Sequence, residues 1–398
     1  MSIQLHHNLI NLPDGKGADN IVAERHDIVL LFDATKANPN GDPDTGNMPR
    51  LQPDTLRGLV TDVCLKRKVR NFFSLYNPDG MLRSDPPPSG YEIFIRENAI
   101  LQQLMEAPEI ETLARTIFAS VLHQNPEAWD AKKKRKAKPK GKSEATTEPK
   151  TVETPSAEQE ISPADEFKRQ AYRDALCRTF FDLRAFGGVT STEGPLKGSF
   201  YGQIRGPLQF AFSESLDRVL QLDATITRCA VASEKEKKES DSAESEETGN
   251  RTMGRKHVVN YGLYRTHIYF SPAFAAKTGF TYYDLDNFFF ALMHMFRDDT
   301  AAGRAGMRVV ALVDFQHTSA LGNEHSHKLF DLVKVERTGD DDKRDFPNSL
   351  NDYRGEAPNG MVREVSDNGS KRPTVTANRL VWEFEPDISS VTSTSSPP

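Results

Sequence analysis

The sequence has little cysteine and no long apolar run, and each absence excludes a class of protein. The three cysteines among 398 residues, Cys64, Cys177 and Cys229, lie far apart and form no CxxC pair. This spacing predicts reduced thiols and argues against a disulfide framework or a thiolate zinc site. No stretch approaches about 18 consecutive apolar residues, and residues 1–20 lack the cationic start and apolar run of a signal peptide. We therefore expect a soluble, cytoplasmic protein.

The sequence also lacks the net positive charge of a general nucleic-acid binder. Its 51 Lys and Arg are outnumbered by 57 Asp and Glu, which gives a formal net charge of −6. The hydrophobic fraction of 37% and the mean hydropathy of −0.59 are low, which predicts a globular body that carries polar insertions. If the protein binds phosphate groups, its cations must be gathered at one place.

Two internal segments are rich in charge and poor in apolar residues. Residues 125–163 include eight cations within 132–142, and residues 233–249 read SEKEKKESDSAESEETG. Such segments bury too little apolar surface to offset the entropy of ordering the chain. We therefore expect a disordered linker at 125–163 and a flexible tip at 233–249. The lysine-rich run could instead be an arm that binds nucleic acid, but a solvated linker is the more common case.

The remaining segments alternate between strand and helix patterns. We predict strands at 27–35, 199–212, 224–232, 256–270 and 307–317, and helices at 54–75, 99–123, 164–186 and 283–296. With 99–123, 164–186 and the hairpin 224–260 treated as insertions, the order is strand, helix, strand, strand, helix, strand. This order predicts an α+β fold with a ferredoxin-like or RRM-like antiparallel sheet and two helices on one face.

A turn-rich loop leads directly into a basic helix near the N-terminus. Residues 38–47 read NPNGDPDTGN, whose Asn, Pro and Gly residues are typical of tight turns. On a helix that starts at Asp54, Arg57 and Lys68 share one face, and Lys66 and Arg70 form a second cationic row. Such neighbours repel one another unless a negative group lies close, so this corner is either a phosphate-binding site or a solvated surface helix. The loop lacks the spacing of an EF-hand or a Walker P-loop.

A second basic stretch, GNRTMGRKHVV at 249–259, follows the acidic tip. We expect it to form one side of a long hairpin over 224–260 with a cationic stem. The stem cations would be Arg228, Arg251, Arg255 and Lys256, with His257 beside them. Met253 could be an apolar wedge between bases or simply an exposed methionine.

Six stretches occur in one order along residues 26–338. They are NPNGDPDTGNMPRLQPDTLRGLVTDVCLKRKVRN, RAFGG, IRGPLQFAFSESLD, ITRCAVA, NRTMGRKHVVNYGLYRTH and LGNEHSHKLF. Together they resemble the type I-C branch of the CRISPR Cascade backbone subunit family. The resemblance implies a non-catalytic protein with an RRM-like palm, helical fingers and a thumb hairpin. Copies of such a subunit line up as a helical filament along a CRISPR RNA (crRNA) and leave its bases free to pair with target DNA.

The resemblance also implies domains, partners and a binding site. The domains are an N-terminal extension (1–26), the palm (27–90, 199–223 and 261–338), the fingers (91–198), the thumb (224–260) and a partly disordered C-terminal extension (339–398). The partners are crRNA, target DNA through the guide, copies of the chain and the other Cascade subunits, namely a repeat-processing end cap, a large subunit and a small subunit. No cofactor or membrane is implied. The expected RNA-binding residues are Arg50, Arg57, Lys66, Arg67, Lys68, Arg70, Arg205, Arg228, Arg251, Met253, Arg255, Lys256 and His257.

The alternative is a ferredoxin-like endoribonuclease that processes repeat RNA with a histidine general base. The candidate histidines are His257, His267, His317, His325 and His327, and the last three could also form a metal cluster. However, no nucleophile or paired acid accompanies them at a spacing that catalysis requires, and His267 falls inside a predicted strand. We therefore expect no catalytic and no metal-binding residues.

Overall fold

The computed structural model describes residue 17 and residues 19–130, 163–228, 252–338, 345–367 and 370–384. Its strands are β1 (His26–Ala37), β2 (Gly41–Asp42), β3 (Met48–Pro49), β4 (Arg57–Val60), β5 (Gly187–Val189), β6 (Gln203–Arg205), β7 (Leu208–Phe210), β8 (Ser213–Arg218), β9 (Gln221–Arg228), β10 (Thr252–Phe270), β11 (Met307–His317), β12 (Lys334–Arg337), β13 (Tyr353–Glu356), β14 (Gly360–Asp367) and β15 (Ser370–Trp382). Its helices are α1 (Asp62–Leu75), α2 (Leu101–Met105), α3 (Pro108–Ser120), α4 (Pro163–Thr179), α5 (Phe181–Phe186), α6 (Pro272–Thr278), α7 (Tyr282–His294) and α8 (Ser326–Phe330).

A large antiparallel sheet forms the centre of the protein. Its strand order is β14-β15-β11-β1-β10-β8-β4, and β7 and β9 also pair with β10. The apolar run of β1 is buried on both sides and pairs along its length with β10 and β11, as a central strand must. The predicted α+β fold with a large antiparallel sheet is confirmed.

One face of this sheet is covered by helices. Leu30 and Phe32 of β1 point toward Phe73 of α1 and Phe288 of α7 within one continuous buried cluster. The ring of Phe32 also stacks on Tyr264 of β10, with 5.3 Å between the ring centroids. Helix α7 starts with a capping box in which Thr281 and Asp284 satisfy each other's backbone N–H groups. The expectation of helices on one face therefore holds for α1 and α7.

The opposite face of the sheet is covered as well. Leu31 and Leu263 pack in a second buried cluster with Phe330 of α8, Tyr353 of β13 and Val375 of β15. A ring that stacks on a base must be exposed, so the buried rings of Phe32, Tyr261 and Tyr264 offer no platform for bases. This agrees with the absence of the RNP1 aromatic pattern from β10.

A third cluster holds the helices inserted between α1 and β6. Helices α3 and α4 pack together, and Trp129 packs against Phe118 and Tyr172 with 5.3 and 5.5 Å between ring centroids. Residues 125–130 therefore belong to this cluster, and the expectation that the disordered linker begins at 125 is wrong. The rest of that linker (131–162) and the flexible tip (233–249) lie outside the described residues.

The helix predicted at 54–75 is wrong in its first turns. Leu56 has a φ of +58°, which interrupts a helix, and the next four residues form β4, paired with β8. Gly58 suits this strand because an added Cβ would collide with the ring of Tyr264. Helix α1 begins only at Asp62, so Arg57 does not share a helix face with Lys68. Val63, in the first turn of α1, is 62% exposed.

Two other regions differ from the prediction. The strand expected at 199–212 is divided into β6 and β7 by Gly206-Pro207, and the polar strand β8 was not predicted. The C-terminal region supplies β15, which adds to the main sheet beside β11, although its sequence suggested no element. Long-range pairing determines such strands, and local pattern does not reveal it.

The cysteine and membrane expectations can be compared with the described residues. Cys64 and Cys177 are free thiols in the structure, and Cys229 lies outside the described residues. Within the described part of the chain, no helix has the length and apolar character needed to cross a membrane.

A buried ion pair joins the helical insertion to the sheet-covering helix α7. Arg184 of α5 donates from Nη2 to Oδ1 of Asp284 at 2.7 Å, and the two side chains are 7% and 5% exposed. The same guanidinium donates to the carbonyl oxygens of Cys177 and Gly90, at 2.8 and 3.0 Å. The hydroxyl of Tyr91 donates to Asp284 at 3.0 Å. The network is fully partnered, so removal of one charge leaves the other without compensation.

We expect the substitution Asp284→Ala to lower the free energy of unfolding by about 3–5 kcal/mol, because it leaves the Arg184 guanidinium buried and unpaired. Urea titration measures this loss. The control is Glu193→Ala, which breaks the exposed pair with Lys197 (55% and 63% exposed) and should cost less than about 1 kcal/mol. Equal losses in the two variants would contradict a structural role for the buried pair.

Candidate nucleic-acid interface

A groove of about 1290 Å³ brings the two basic stretches of the sequence together. Its walls are the loop 38–50, helix α1, the segment 95–97, the loop 299–304 and residues 255–257 of β10. The basic corner and the hairpin stem are distant in sequence, and the pairing of β10 with β1 and β9 brings them to one cleft. We call this cleft the groove.

The loop 38–50 is shaped by its own hydrogen bonds. The Asn40 Oδ1 atom accepts from both the backbone N–H and the hydroxyl of Thr61, each at 3.0 Å, which fixes the loop to the start of α1. The Asn38 side chain donates to the carbonyl of Asn47 at 2.7 Å, and Asn47 and Gly46 both have positive φ values, which Asn and Gly adopt most readily. The loop therefore presents a rigid backbone edge to the groove.

The groove is strongly cationic even though the chain is not. Of the described residues, nine Lys and Arg line it against two acidic residues, Glu97 and Asp299. The nine are Arg50, Lys66, Arg67, Lys68, Arg70, Arg96, Arg255, Lys256 and Arg304. Positive charge gathered in a cleft focuses the field on an anionic ligand, which is how a protein of net charge −6 can bind one.

Three of the expected site cations on α1 are largely buried and are held in ion pairs within the fold. Lys68 is 5% exposed and pairs with Asp299, and Arg70 is 11% exposed and donates from Nε to Asp182 at 2.8 Å. Lys66 is 13% exposed and pairs with Asp62 at 2.9 Å. The expectation that α1 presents two open cationic rows is therefore wrong. These side chains turn inward because acidic residues distant in sequence compensate the charges of Lys68 and Arg70, and Asp62 compensates that of Lys66.

The acidic residues that are distant in sequence also fix the walls of the groove. Asp182 accepts from the backbone N–H groups of Phe94 and Ile95 at 2.8 and 3.0 Å while it holds Arg70. Asp299 holds Lys68 and also pairs with Arg304 at 3.6 Å. The buried pairs of α1 thus set the positions of the segment 95–97 and the loop 299–304.

The side chains that remain available to a ligand are the exposed cations. Arg67, Arg96 and Arg304 have side chains that are 61%, 47% and 49% exposed. Arg255 is exposed and Lys256 is half-buried, and neither pairs with an acidic residue in the described part of the chain. Arg50 is 33% exposed and pairs with Asp42 at 3.3 Å. Sequence reasoning missed Arg96 and Arg304, because each lies alone in a loop and no periodic pattern marks it.

Of the other expected site residues, Arg57 and Arg205 do not line the groove. Arg57 on β4 pairs with Glu214 at 3.1 Å, and Arg205 lies on β6. Arg228 lies on β9 and Met253 lies on β10, the two strands of the hairpin. Arg251 lies outside the described residues.

The candidate histidines have separate surroundings. His257 lines the groove and its Nδ1 atom contacts Asp223 at 2.5 Å, whereas buried His317 contacts Asp27 at 3.0 Å. The rings of His325 and His327 stack on each other. No group of three or more His, Cys, Asp or Glu side chains that could hold a metal occurs among the described residues.

His267 has a partner that requires its neutral form. Arg265 donates from Nε to the Nε2 atom of His267 at 3.0 Å, and the imidazole stacks on Phe330 with 4.1 Å between ring centroids. Burial, and then the charge of Arg265, lower the pKa of His267 from 6.5 to about 4. The ring is part of the packing of β10 against α8.

We expect His267 to make the folded state sensitive to acid. The imidazole of His267 takes up a proton near pH 6.5 in the unfolded chain but only near pH 4 in the folded chain. The stability that neutral His267 contributes is therefore complete above pH 6.5 and is lost as the pH falls toward 4. In His267→Gln, the free energy of unfolding should fall less steeply as the pH is lowered over this range. Its slope should be smaller than that of the parent by up to about 1.4 kcal/mol per pH unit. Urea titrations at several pH values measure the slope, with His327→Gln as the control; an unchanged slope in His267→Gln would contradict the assignment.

Comparison with known proteins assigns the chain to a family. Residues 24–357 match the model of the family described as CRISPR-associated protein Cas7. A stretch of 47 residues is 47% identical to the CRISPR-associated protein Cas7 of Haloferax volcanii, and it spans 12% of this chain and 14% of that relative. A solved structure described as "CRISPR RNA-guided surveillance complex, pre-nicking" aligns with 73% of this chain and 78% of its own chain, at 14% identity and a TM-score of 0.36, which is too low to establish a shared fold.

The family match covers well over half of the 398 residues and includes β1, α1, the groove and the hairpin strands. The curated relative is matched over only a small part of its length. The extent of the family match is what decides the assignment. The chain belongs to the CRISPR-associated protein Cas7 family.

Proposed function

We propose that this chain is a crRNA-binding backbone subunit of a type I-C Cascade surveillance complex. Copies of it polymerise along the spacer as a helical filament in the cytoplasm and present the guide for pairing with target DNA in antiviral defence. The observation that carries this proposal is the groove, in which the basic corner and the hairpin stem converge with exposed cations. The type I-C branch is supported by the six ordered sequence stretches.

The groove is suited to hold a nucleic-acid backbone without reading its sequence. Arginine and lysine side chains contact phosphates, and such contacts fix register but carry no base information. A guide RNA must keep its base edges free, because base pairing reads the target. Exposed cations such as Arg67, Arg255 and Arg304 provide that kind of contact.

The expected site residues, together with Arg96 and Arg304, fall into four groups in this proposal. Arg50, Arg67, Arg96, Arg255, Lys256 and Arg304 contact phosphates, with His257 beside them. Lys66, Lys68 and Arg70 position the groove walls through their ion pairs. Arg228 and Met253, on the two strands of the thumb hairpin, contact RNA, and Arg251 is a further RNA contact. Arg57 and Arg205 lie outside the groove and face RNA held by a neighbouring copy.

The fold suggests how the implied domains correspond to the structure. The strand order β11-β1-β10-β7 supports an RRM-like palm. In an RRM-like sheet the first strand lies between the third and the fourth, and here β1 lies between β10 and β11. The cluster of α3 and α4 forms the fingers, and β9 with β10 forms the thumb. The end cap, the large subunit and the small subunit of the complex are the further partners of this proposal.

We expect the double substitution Arg67→Glu and Arg255→Glu to weaken the binding of single-stranded RNA of every sequence. It should also flatten the dependence of log K on log salt concentration by about 0.7 for each phosphate that the protein no longer neutralises. Fluorescence anisotropy at several salt concentrations measures both effects. Lys334→Glu changes an exposed lysine outside the groove and is the matched control. Weaker binding restricted to particular RNA sequences would contradict a grip on the backbone.

Purification of the unmodified chain tests the function as a whole. We expect co-purified RNA in a large, salt-sensitive assembly, detected by the 260/280 nm absorbance ratio and by size-exclusion mass at low and high salt. Added repeat RNA should remain intact on a denaturing gel. A monomer that cuts repeat RNA, and loses cleavage on His257→Ala, would replace this proposal with the endoribonuclease.

A further inference from the structure

One polar side chain in the groove has no role in holding the fold together. Val63, Arg67 and Asn71 lie at positions i, i+4 and i+8 of α1, and all three are exposed and line the groove. Helix residues four apart are neighbours, with about 6 Å between their Cβ atoms. They therefore form one row along the groove wall, in which Asn71 follows the exposed cation Arg67 by one helical turn.

The rest of the helix does not use Asn71. The other cations beside it, Lys66, Lys68 and Arg70, are engaged in ion pairs, and Ser74 donates to the carbonyl of Arg70 at 2.9 Å. The Asn71 side chain forms no hydrogen bond with another described residue and caps neither end of α1. Asparagine is a poorer helix former than alanine, so an unpartnered asparagine inside α1 costs stability. Its carboxamide is exposed in the groove and can contact a ligand there.

We propose that Asn71 hydrogen-bonds the ribose 2′-hydroxyl of the nucleotide whose phosphate Arg67 holds, and that it makes the groove prefer RNA to DNA. This inference rests on the proposed function. A carboxamide donates through its NH2 group and accepts through its oxygen, and the 2′-hydroxyl is likewise both a donor and an acceptor. The two groups therefore match in either orientation.

Phosphate contacts cannot provide this discrimination. Cations attract the phosphates of RNA and DNA alike, so a groove of arginines and lysines alone accepts both. The 2′-hydroxyl is the group that distinguishes the two backbones. It belongs to the sugar that adjoins the phosphate, so a neutral side chain one turn from Arg67 is placed to meet it. Glu97 pairs with Arg67 in the free chain, but both are well exposed, and phosphate can replace such a pair at small cost.

The test compares RNA with DNA of the same sequence. Anisotropy titrations at one salt concentration measure the dissociation constants of a mixed-sequence single-stranded RNA and of its DNA counterpart, for the full chain and for Asn71→Ala. The substitution should weaken RNA binding about two- to ten-fold, the value of one neutral hydrogen bond, and leave DNA binding unchanged. Alanine is the better helix former, so the variant should be no less stable than the parent, which urea titration verifies.

Two controls separate this hydrogen bond from general effects. Arg67→Ala should weaken RNA and DNA binding to a similar extent, and Asn351→Ala, which changes an exposed asparagine outside the groove, should change neither. An equal weakening for RNA and DNA in Asn71→Ala, no weakening, or an effect restricted to certain bases would overturn the inference while leaving the proposed function intact. A full chain that binds no RNA would overturn the proposed function first.

Discussion

The groove depends on two ion pairs in which helix α1 buries its own cations. Arg70 and Lys68 would repel an adjacent cation if they were left in solvent, but Asp182 and Asp299 compensate them inside the protein. Each acidic side chain also holds a second element, through backbone N–H groups at 94–95 or through Arg304. Helix α1 therefore sets the distance between the segment 95–97 and the loop 299–304. The exposed arginines have defined positions because the buried cations Lys68 and Arg70 are paired.

The covered sheet explains why the ligand surface lies at the side of the fold. Helices α1 and α7 cover one face, and α8 with β13 covers the other, so β1 is buried on both sides. The rings of Phe32, Tyr261 and Tyr264 on β1 and β10 are buried, so bases cannot stack on them. In the proposed function, nucleic acid contacts loops and helix surfaces around the sheet, which suits a grip on the backbone without readout of bases.

Much of the candidate site could be predicted from the sequence, but the role of each cation could not. The loop 38–47, the basic helix and the stretch 249–259 are local patterns of turn residues and charge, and the structure brings parts of all three to one groove. Which cations are exposed depends on partners that lie far along the chain. Asp182 is 112 residues from Arg70, and Asp299 is 231 residues from Lys68. A single sequence contains no signal for such pairs.

The sequence by itself determined the elements with strong local patterns. The apolar runs of β1 and β11 and the order of strands and helices specify an antiparallel α+β fold, because periodicity and turn chemistry act between near neighbours. Only the tertiary structure decided that residues 57–60 form a strand, that 370–382 complete the sheet, and that Lys68 and Arg70 turn inward. Strand pairing and charge compensation are interactions at long sequence separation, and they override local propensity where the two conflict.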